Sequence, residues 1–186
     1  MAHDTTHHRS LCKVLADYFP DEPKVGVEVG GRLGLLSASL LRRFSGLHLI
    51  LVDLWDWYDA PGRASRKERR KNRAKADRGR MVEATNFARE RCTIVQGFST
   101  GAAKLCRGDL DFVFIDADHT YDFVRADIEA WYPLIKHGGL LTGHDYGHVF
   151  RKENPYGVTR AVDEFIRNTG FELHVEEGSV WWVVKP

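Results

Sequence analysis

Apolar positions in this chain switch repeatedly between two spacings, and the switching predicts the architecture. Leu11, Val14, Leu15 and Phe19 recur at helical spacing and stop at Pro20, which predicts an amphipathic helix over about residues 5–19. Residues 24–29 read as a buried strand closing on Gly30 and Gly31. Leu33, Leu36, Leu40, Leu41 and Phe44 restore the helical period, and 47–52 is an apolar strand ending at Asp53. After a polar stretch the alternation resumes with strand 92–96, helix 100–106, strand 111–115, helix 120–135, strand 139–142 and helix 158–168. Segments 171–175 and 180–184, joined through Glu177-Gly178-Ser179, read as an antiparallel hairpin.

Strands alternating with helices predict an α/β fold: a mostly parallel sheet with helices on both faces, whose ligands bind beyond the carboxyl ends of the strands. Those ends carry Glu28 to Gly31, Asp53, Gly97-Phe98-Ser99, Asp116-Ala117-Asp118-His119 and Gly143-His144-Asp145-Tyr146. Acidic and polar residues therefore gather at one edge of an otherwise apolar sheet. With 186 residues, 43% of them hydrophobic and 28% charged, the expectation is one domain over 1–186 and no long disordered part.

Charge changes the picture at one place. Residues 63–80 hold ten basic side chains against Glu68 and Asp77, a local net charge of +8 in a chain of net +1, so the rest is acidic at −7. Ser65 and Glu68 match a capping box, and Met81, Val82, Phe87 and Ala88 could dock the C-terminal end of the same helix. This predicts a basic helical insertion at about 61–90. It is either a solvated face, a lid selecting an anionic acceptor, or a track for nucleic-acid phosphates. Three cysteines, Cys12, Cys92 and Cys106, form no even framework and no C-x-x-C pair, which predicts buried free thiols and a cytoplasmic protein. No apolar run approaches the length of a membrane span.

The turn after the first strand decides between nucleotides. A nicotinamide fingerprint starting at Gly30 would need glycine where Arg32 and Leu35 stand, and no P-loop is present. Glu28, Gly30 and Gly34 give E-x-G-x-x-x-G instead, which brings backbone close to a ligand without a pyrophosphate cradle. Asp53 could accept hydrogen bonds from both hydroxyls of a ribose. On a continuing strand Asp116 and Asp118 would point the same way, with Asp145 and His144 on the neighbouring strand; converging carboxylates favour a hard cation such as Mg²⁺. The plainer alternative has Asp118 capping the next helix and Asp116 bonding a ligand amino group. Tyr132 to Lys136 spells Y-x-x-x-K, but Pro133 and the failed fingerprint make it a coincidence. Trp131, Trp181 and Trp182 read as packing, and His3, His7 and His8 as part of a fraying terminus.

The blocks EVGGRLG (28–34), Asp53, DFVFIDADHTY (111–121) and WYPLIKHGGLLTGHDY (131–146) resemble the class I S-adenosylmethionine-dependent methyltransferases. Within them the chain is most similar to the small O-methyltransferase branch of macrocin-type and other sugar- and antibiotic-tailoring enzymes, with catechol O-methyltransferase more distant. The resemblance implies a Rossmann-like, mostly parallel seven-stranded sheet whose last strand inserts antiparallel. It implies that Glu28 and Gly30 line the methionine part of S-adenosylmethionine, that Asp53 holds the ribose and that Ser99 touches the adenine edge. One position departs from the pattern: Leu36 stands where relatives often carry serine, with Ser37 one step on. Another is His144, where relatives often carry aspartate.

The expected activity is methyl transfer to a hydroxyl of a small, anionic acceptor, with a divalent cation on Asp116, His144 and Asp145. Asp118 would collect the proton; without metal, His144 or His119 would be the base. The alternative is an RNA methyltransferase or a nucleic-acid-binding module using 63–80.

Overall fold

The computed structural model describes residues 6–55, 67–148 and 157–186. Its strands are β1 (Val25–Val29), β2 (His48–Asp53), β3 (Cys92–Gln96), β4 (Leu110–Ile115), β5 (Ile135–Gly143), β6 (His174–Glu176) and β7 (Val180–Val184). Its helices are α1 (Thr6–Tyr18), α2 (Leu35–Arg43), α3 (Lys67–Thr85), α4 (Ser99–Ala103), α5 (Tyr121–Trp131) and α6 (Val158–Thr169). The strands form one sheet in the order β3-β2-β1-β4-β5-β7-β6. β1 to β5 run parallel, and β7 enters between β5 and β6 antiparallel to both. This is the expected Rossmann-like arrangement, hairpin insertion included.

β4 lies at the centre and is buried along its whole length. Its side chains alternate between two cores, as the two-residue period of a strand requires. Phe112 and Phe114 pack with Leu11, Leu15, Leu40 and Phe44 of α1 and α2, whereas Val113 and Ile115 pack with Ile128, Trp131, Val162 and Trp181 on the other face. Trp131 and Trp181 are core residues, as expected, while Trp182 is half-buried and stacks on His174 with ring centres 4.0 Å apart. The three cysteines are half-buried free thiols. Among the described residues no helix is long and apolar enough to cross a membrane.

Four elements differ from the sequence expectation. Helix 120–135 ends at Trp131, because Pro133 supplies no N–H to continue it; residues Tyr132–Leu134 form a 3-10 turn and β5 already begins at Ile135. Helix 100–106 is the shorter α4, starting at Ser99. Only His174–Glu176 of segment 171–175 pairs in the sheet, since Phe171 and Leu173 turn inward against the α5/α6 core. Finally, the basic helix has a buried stripe after all. Ala74, Asp77, Met81 and Thr85 face inward at helical spacing, and Ala88 continues the stripe beyond the helix, while Val82 and Phe87 are exposed. Ser65 and the start of the basic segment lie outside the described residues.

A buried carboxylate fastens the first strand. Asp111 accepts the backbone N–H groups of Lys24 and Val25, both at 2.7 Å, and pairs with Lys136. It satisfies the donors at the start of β1, in a part-buried place. Asp111→Ala should therefore destabilise the fold by about 1.5–3 kcal/mol, removing a charged acceptor shared by two backbone donors. Urea unfolding would measure this, and a loss below ~1 kcal/mol would show that water replaces the carboxylate.

Candidate active site

The carboxyl edge of the sheet is held by backbone bonds that continue the ladder past the strand ends. Gly30 N–H donates to Val52 O and Asp116 N–H to Val29 O, both at 2.8 Å; Gly97 N–H donates to Asp53 O at 3.0 Å and His144 N–H to Ile115 O at 3.1 Å. Gly30 takes φ +103°, and a Cβ there would lie 2.0 Å from the Asp116 carbonyl, so only glycine lets the two loops meet. Gly34, at φ +70°, starts α2 against Met81 of α3.

A cavity of about 980 Å³ runs along this edge. That is at the upper end for small-molecule sites, roughly 300–1,000 Å³, and leaves room for two ligands side by side. Its walls include Glu28, Gly30, Asp53, Ser99 and Asp116, so the sequence-predicted cofactor residues other than Gly34 share one cavity.

At its floor Glu28 is buried and accepts the Ser37 hydroxyl proton. Burial pushes its carboxyl up to about 8, with Asp116 and Asp53 adding to the rise and Ser37 opposing it. The serine that departs from the family pattern thus grips the motif glutamate. At one end, Asp53 accepts Arg32 N–H at 2.9 Å and Trp55 N–H at 2.7 Å, and the Trp55 indole donates to Arg32 O at 2.9 Å. This clasp fixes the carboxylate and keeps a lone pair on each oxygen for a further donor. Arg32 reaches on to Asp77 of α3 at 3.3 Å, and Arg73 and Arg80 lie 3.9 Å from the same carboxylate.

Ser99 does line the cavity, but its hydroxyl accepts the Trp131 indole N–H at 2.7 Å and bonds Asp127, turning it into the wall. Burial raises Asp127 to about 6 against that bond. The sequence reading missed Asp127, and it missed the exposed rings of Phe98 and Phe123, which line the same end and offer flat apolar faces to a base. Phe98 was in sight, within the Gly97-Phe98-Ser99 strand end; only its exposure singles it out.

At the other end the charged groups converge. His119 Nε2 lies 2.8 Å from Asp145 and 3.4 Å from Asp116, and His144 Nδ1 lies 3.4 Å from Asp145 and 3.5 Å from Asp116. Asp145 adopts a left-handed backbone at φ +64°, which aspartate tolerates. Burial alone would raise both carboxyls and lower both imidazoles, but their mutual hydrogen bonds win. Asp116 and Asp145 fall below the usual carboxylate range, His144 rises, and His119 is pushed up to about 9. A void of about 10 Å³, room for one water or one ion, is lined by Asp116, Asp118, His119, His144 and Trp181.

Asp118 does not point with Asp116, because β4 ends at Ile115; it sits at the rim, its Oδ1 accepting Thr120 N–H at 2.8 Å ahead of α5. The expectation of a fraying terminus also fails for His7 and His8. Both belong to α1 and line the cavity, and the His7 ring packs on His144 with centres 4.4 Å apart. His3 lies outside the described residues.

Asp116, His144 and Asp145 offer three ligand atoms within 4.8 Å of one another, so the residues present fit a divalent ion. The fit to S-adenosylmethionine rests on the cavity's size and on its sequence of apolar faces, the Asp53 carboxylate and the buried Glu28.

A family model described as a methyltransferase domain matches residues 27–146. A search of curated proteins finds no match. Among solved structures, a proposed caffeoyl-CoA O-methyltransferase from Staphylococcus aureus is 17% identical, with TM-score 0.70, covering 97% of this chain and 83% of its own. An O-methyltransferase from Bacillus cereus, solved with S-adenosylhomocysteine, is 17% identical, with TM-score 0.63 and coverages of 100% and 84%. CalS11, a TDP-rhamnose 3'-O-methyltransferase of calicheamicin biosynthesis, is 16% identical, with TM-score 0.63 and coverages of 99% and 81%.

The ionised cluster makes stability depend on pH in the metal-free protein. The folded value of about 9 for His119 exceeds the ordinary 6.5, so its contribution is complete below pH 6.5 and is lost as pH rises through 9. The unfolding free energy from urea titrations in EDTA should fall between pH 6 and 9 by an amount on the order of 1–3 kcal/mol, and by less in His119→Gln. Equal pH dependence in the two proteins would remove His119 from the charged cluster.

Proposed function

The chain belongs to the methyltransferase-domain family, and from that premise we propose that it transfers a methyl group from S-adenosylmethionine to a hydroxyl oxygen of a small, anionic acceptor with the help of a divalent ion. The observation that carries this reading is the single cavity joining the Asp53 end to the Asp116 and His119 end. One ligand reaching from Asp53 to Glu28 leaves the space over the charged cluster for a second, and methyl transfer needs the two aligned in line.

Asp53 holds the ribose hydroxyls, Gly30 admits the donor close to backbone, Glu28 faces the amino acid part, and the Phe98 and Phe123 rings flank the base. Asp116 is thus left for the acceptor end, where Asp116, His144 and Asp145 would hold the ion. Bound there, a divalent ion would supply Lewis acidity that makes an acceptor hydroxyl easier to deprotonate. His119, raised to about 9 by its two aspartates, carries a proton at neutral pH in the metal-free protein and is a poor base there. Asp118, exposed at the rim of the void, is placed to take the acceptor's proton to solvent.

α3 lines the cavity through Ala74 and Asp77, and its Arg73, Lys75, Arg78 and Arg80 are exposed. We assign it the role of a lid that favours acceptors bearing negative charge, in keeping with TDP-rhamnose, the diphosphate sugar in the name of one structural neighbour. The same cations would attract RNA, but the buried stripe of α3 ties the helix to the cavity, which favours the small-molecule acceptor.

Asp53→Ala should weaken S-adenosylmethionine binding by about 1.5–3 kcal/mol in calorimetric titration, the scale of hydrogen bonds to a charged group. Unchanged affinity in the folded variant would move the ribose elsewhere. With an identified acceptor, turnover should vanish in EDTA and return with a divalent ion, whereas full activity in EDTA would reject metal assistance. Replacing Arg73, Arg78 and Arg80 with glutamine should raise the acceptor KM and flatten its salt dependence. Identical kinetics at low and high salt in both proteins would reject the lid.

A further inference from the structure

The ion site is not an all-oxygen set. Asp116 and Asp145 offer carboxylate oxygens, but the third ligand atom is a ring nitrogen of His144. A second imidazole reaches the same point, since His119 Nε2 lies 2.8 Å and 3.4 Å from those two carboxylates. The nitrogen donor is also held in place. The His144 ring packs on His7 at 4.4 Å and 31°, bonds the backbone at Gly178, and follows an N–H anchored on Ile115 O.

Mg²⁺ takes oxygen ligands in near-ideal octahedral geometry and gives up its water reluctantly, whereas imidazole suits borderline first-row ions. Charge points the same way. Two carboxylates and a neutral imidazole balance a doubly charged ion without excess, and affinity then depends on donor type more than on added anions.

We infer that this site selects a first-row transition ion of the Mn²⁺, Co²⁺ or Zn²⁺ kind over Mg²⁺, and that His144 sets the preference. The inference rests on the reading that a divalent ion serves the acceptor end of the cavity, and it deepens that reading by naming the class of ion.

The test uses the full chain, stripped with EDTA and titrated with MnCl₂, CoCl₂ and MgCl₂, without and with S-adenosylmethionine. Mn²⁺ and Co²⁺ should bind one site at least tenfold more tightly than Mg²⁺. Bound Mn²⁺ should show nitrogen coupling in pulsed electron paramagnetic resonance. In His144→Asp the coupling should disappear and the preference over Mg²⁺ should fall at least tenfold, with S-adenosylmethionine affinity retained as proof of folding. In His119→Gln the nitrogen coupling should persist.

Mg²⁺ binding as tightly as Mn²⁺ in the parent protein would overturn the inference and leave metal-assisted transfer standing. A preference unchanged in His144→Asp, or lost only in His119→Gln, would overturn the assignment to His144. Failure of every ion to bind, with S-adenosylmethionine still bound, would remove the metal from both readings and leave methyl transfer intact.

Discussion

The site depends on hydrogen bonds that run one residue beyond the sheet. When Gly30, Gly97, Asp116 and His144 each donate a backbone N–H to the last carbonyls of the neighbouring strand, loop residues inherit the rigidity and spacing of strands. Neighbouring strands lie about 4.8 Å apart, close enough for side chains from adjacent ends to share a ligand. The same bonds explain the glycine, because loops tied this closely leave no room for a Cβ between Gly30 and the Asp116 carbonyl. Rigid backbone at the edge is what allows charged groups to be placed within hydrogen-bond reach of one another at little entropic cost during catalysis.

That placement creates an electrostatic demand. Buried carboxylates at Glu28, Asp127 and Asp145 and the half-buried Asp116 resist losing water, and the chain answers in two ways. Glu28 and Asp127 are buried beside serine hydroxyls and drift toward neutrality, to about 8 and about 6. Asp116 and Asp145 instead fall below the usual carboxylate range beside His119 and His144, whose imidazoles the same two carboxylates push up. A cation held by Asp116, His144 and Asp145 would have to compete with the proton that those carboxylates favour on His144.

Much of this was legible in the sequence, because strand ends are marked by the switch from apolar runs to glycine and aspartate. Glu28, Gly30, Asp53, Ser99 and Asp116 were found that way, and the order of elements followed from the two hydrophobic periods. What was not legible depends on contacts between distant segments. The stripe of α3 is built from Ala74, Asp77, Met81 and Thr85, of which Asp77 and Thr85 score as polar; their burial comes from Arg32 and from the helix's own backbone, not from apolar character. Asp118 could be read as a strand residue or as a turn residue, and the two-residue rule fails once β4 ends at Ile115. His7 had no local pattern at all, since its partner His144 lies at the far end of the chain's core motif.

His7 also shows how the labour is divided between edge and periphery. The matched stretch, 27–146, contains the strand ends to which the donor and the ion are assigned above. α1 and the Glu177–Ser179 turn lie outside it, yet α1 sets a ring on His144 and the turn bonds the same histidine through Gly178. The turn and the helix touch each other there, with His7 N–H only 2.9 Å from where a Cβ on Gly178 would stand. The cavity wall at that end therefore includes His7 and His8 of α1, while the Glu28, Gly30 and Asp53 end is built on the parallel ladder. Substitutions in α1 or the turn can reshape the acceptor space without disturbing a single backbone bond of the donor site, which is how one rigid edge can serve different acceptors.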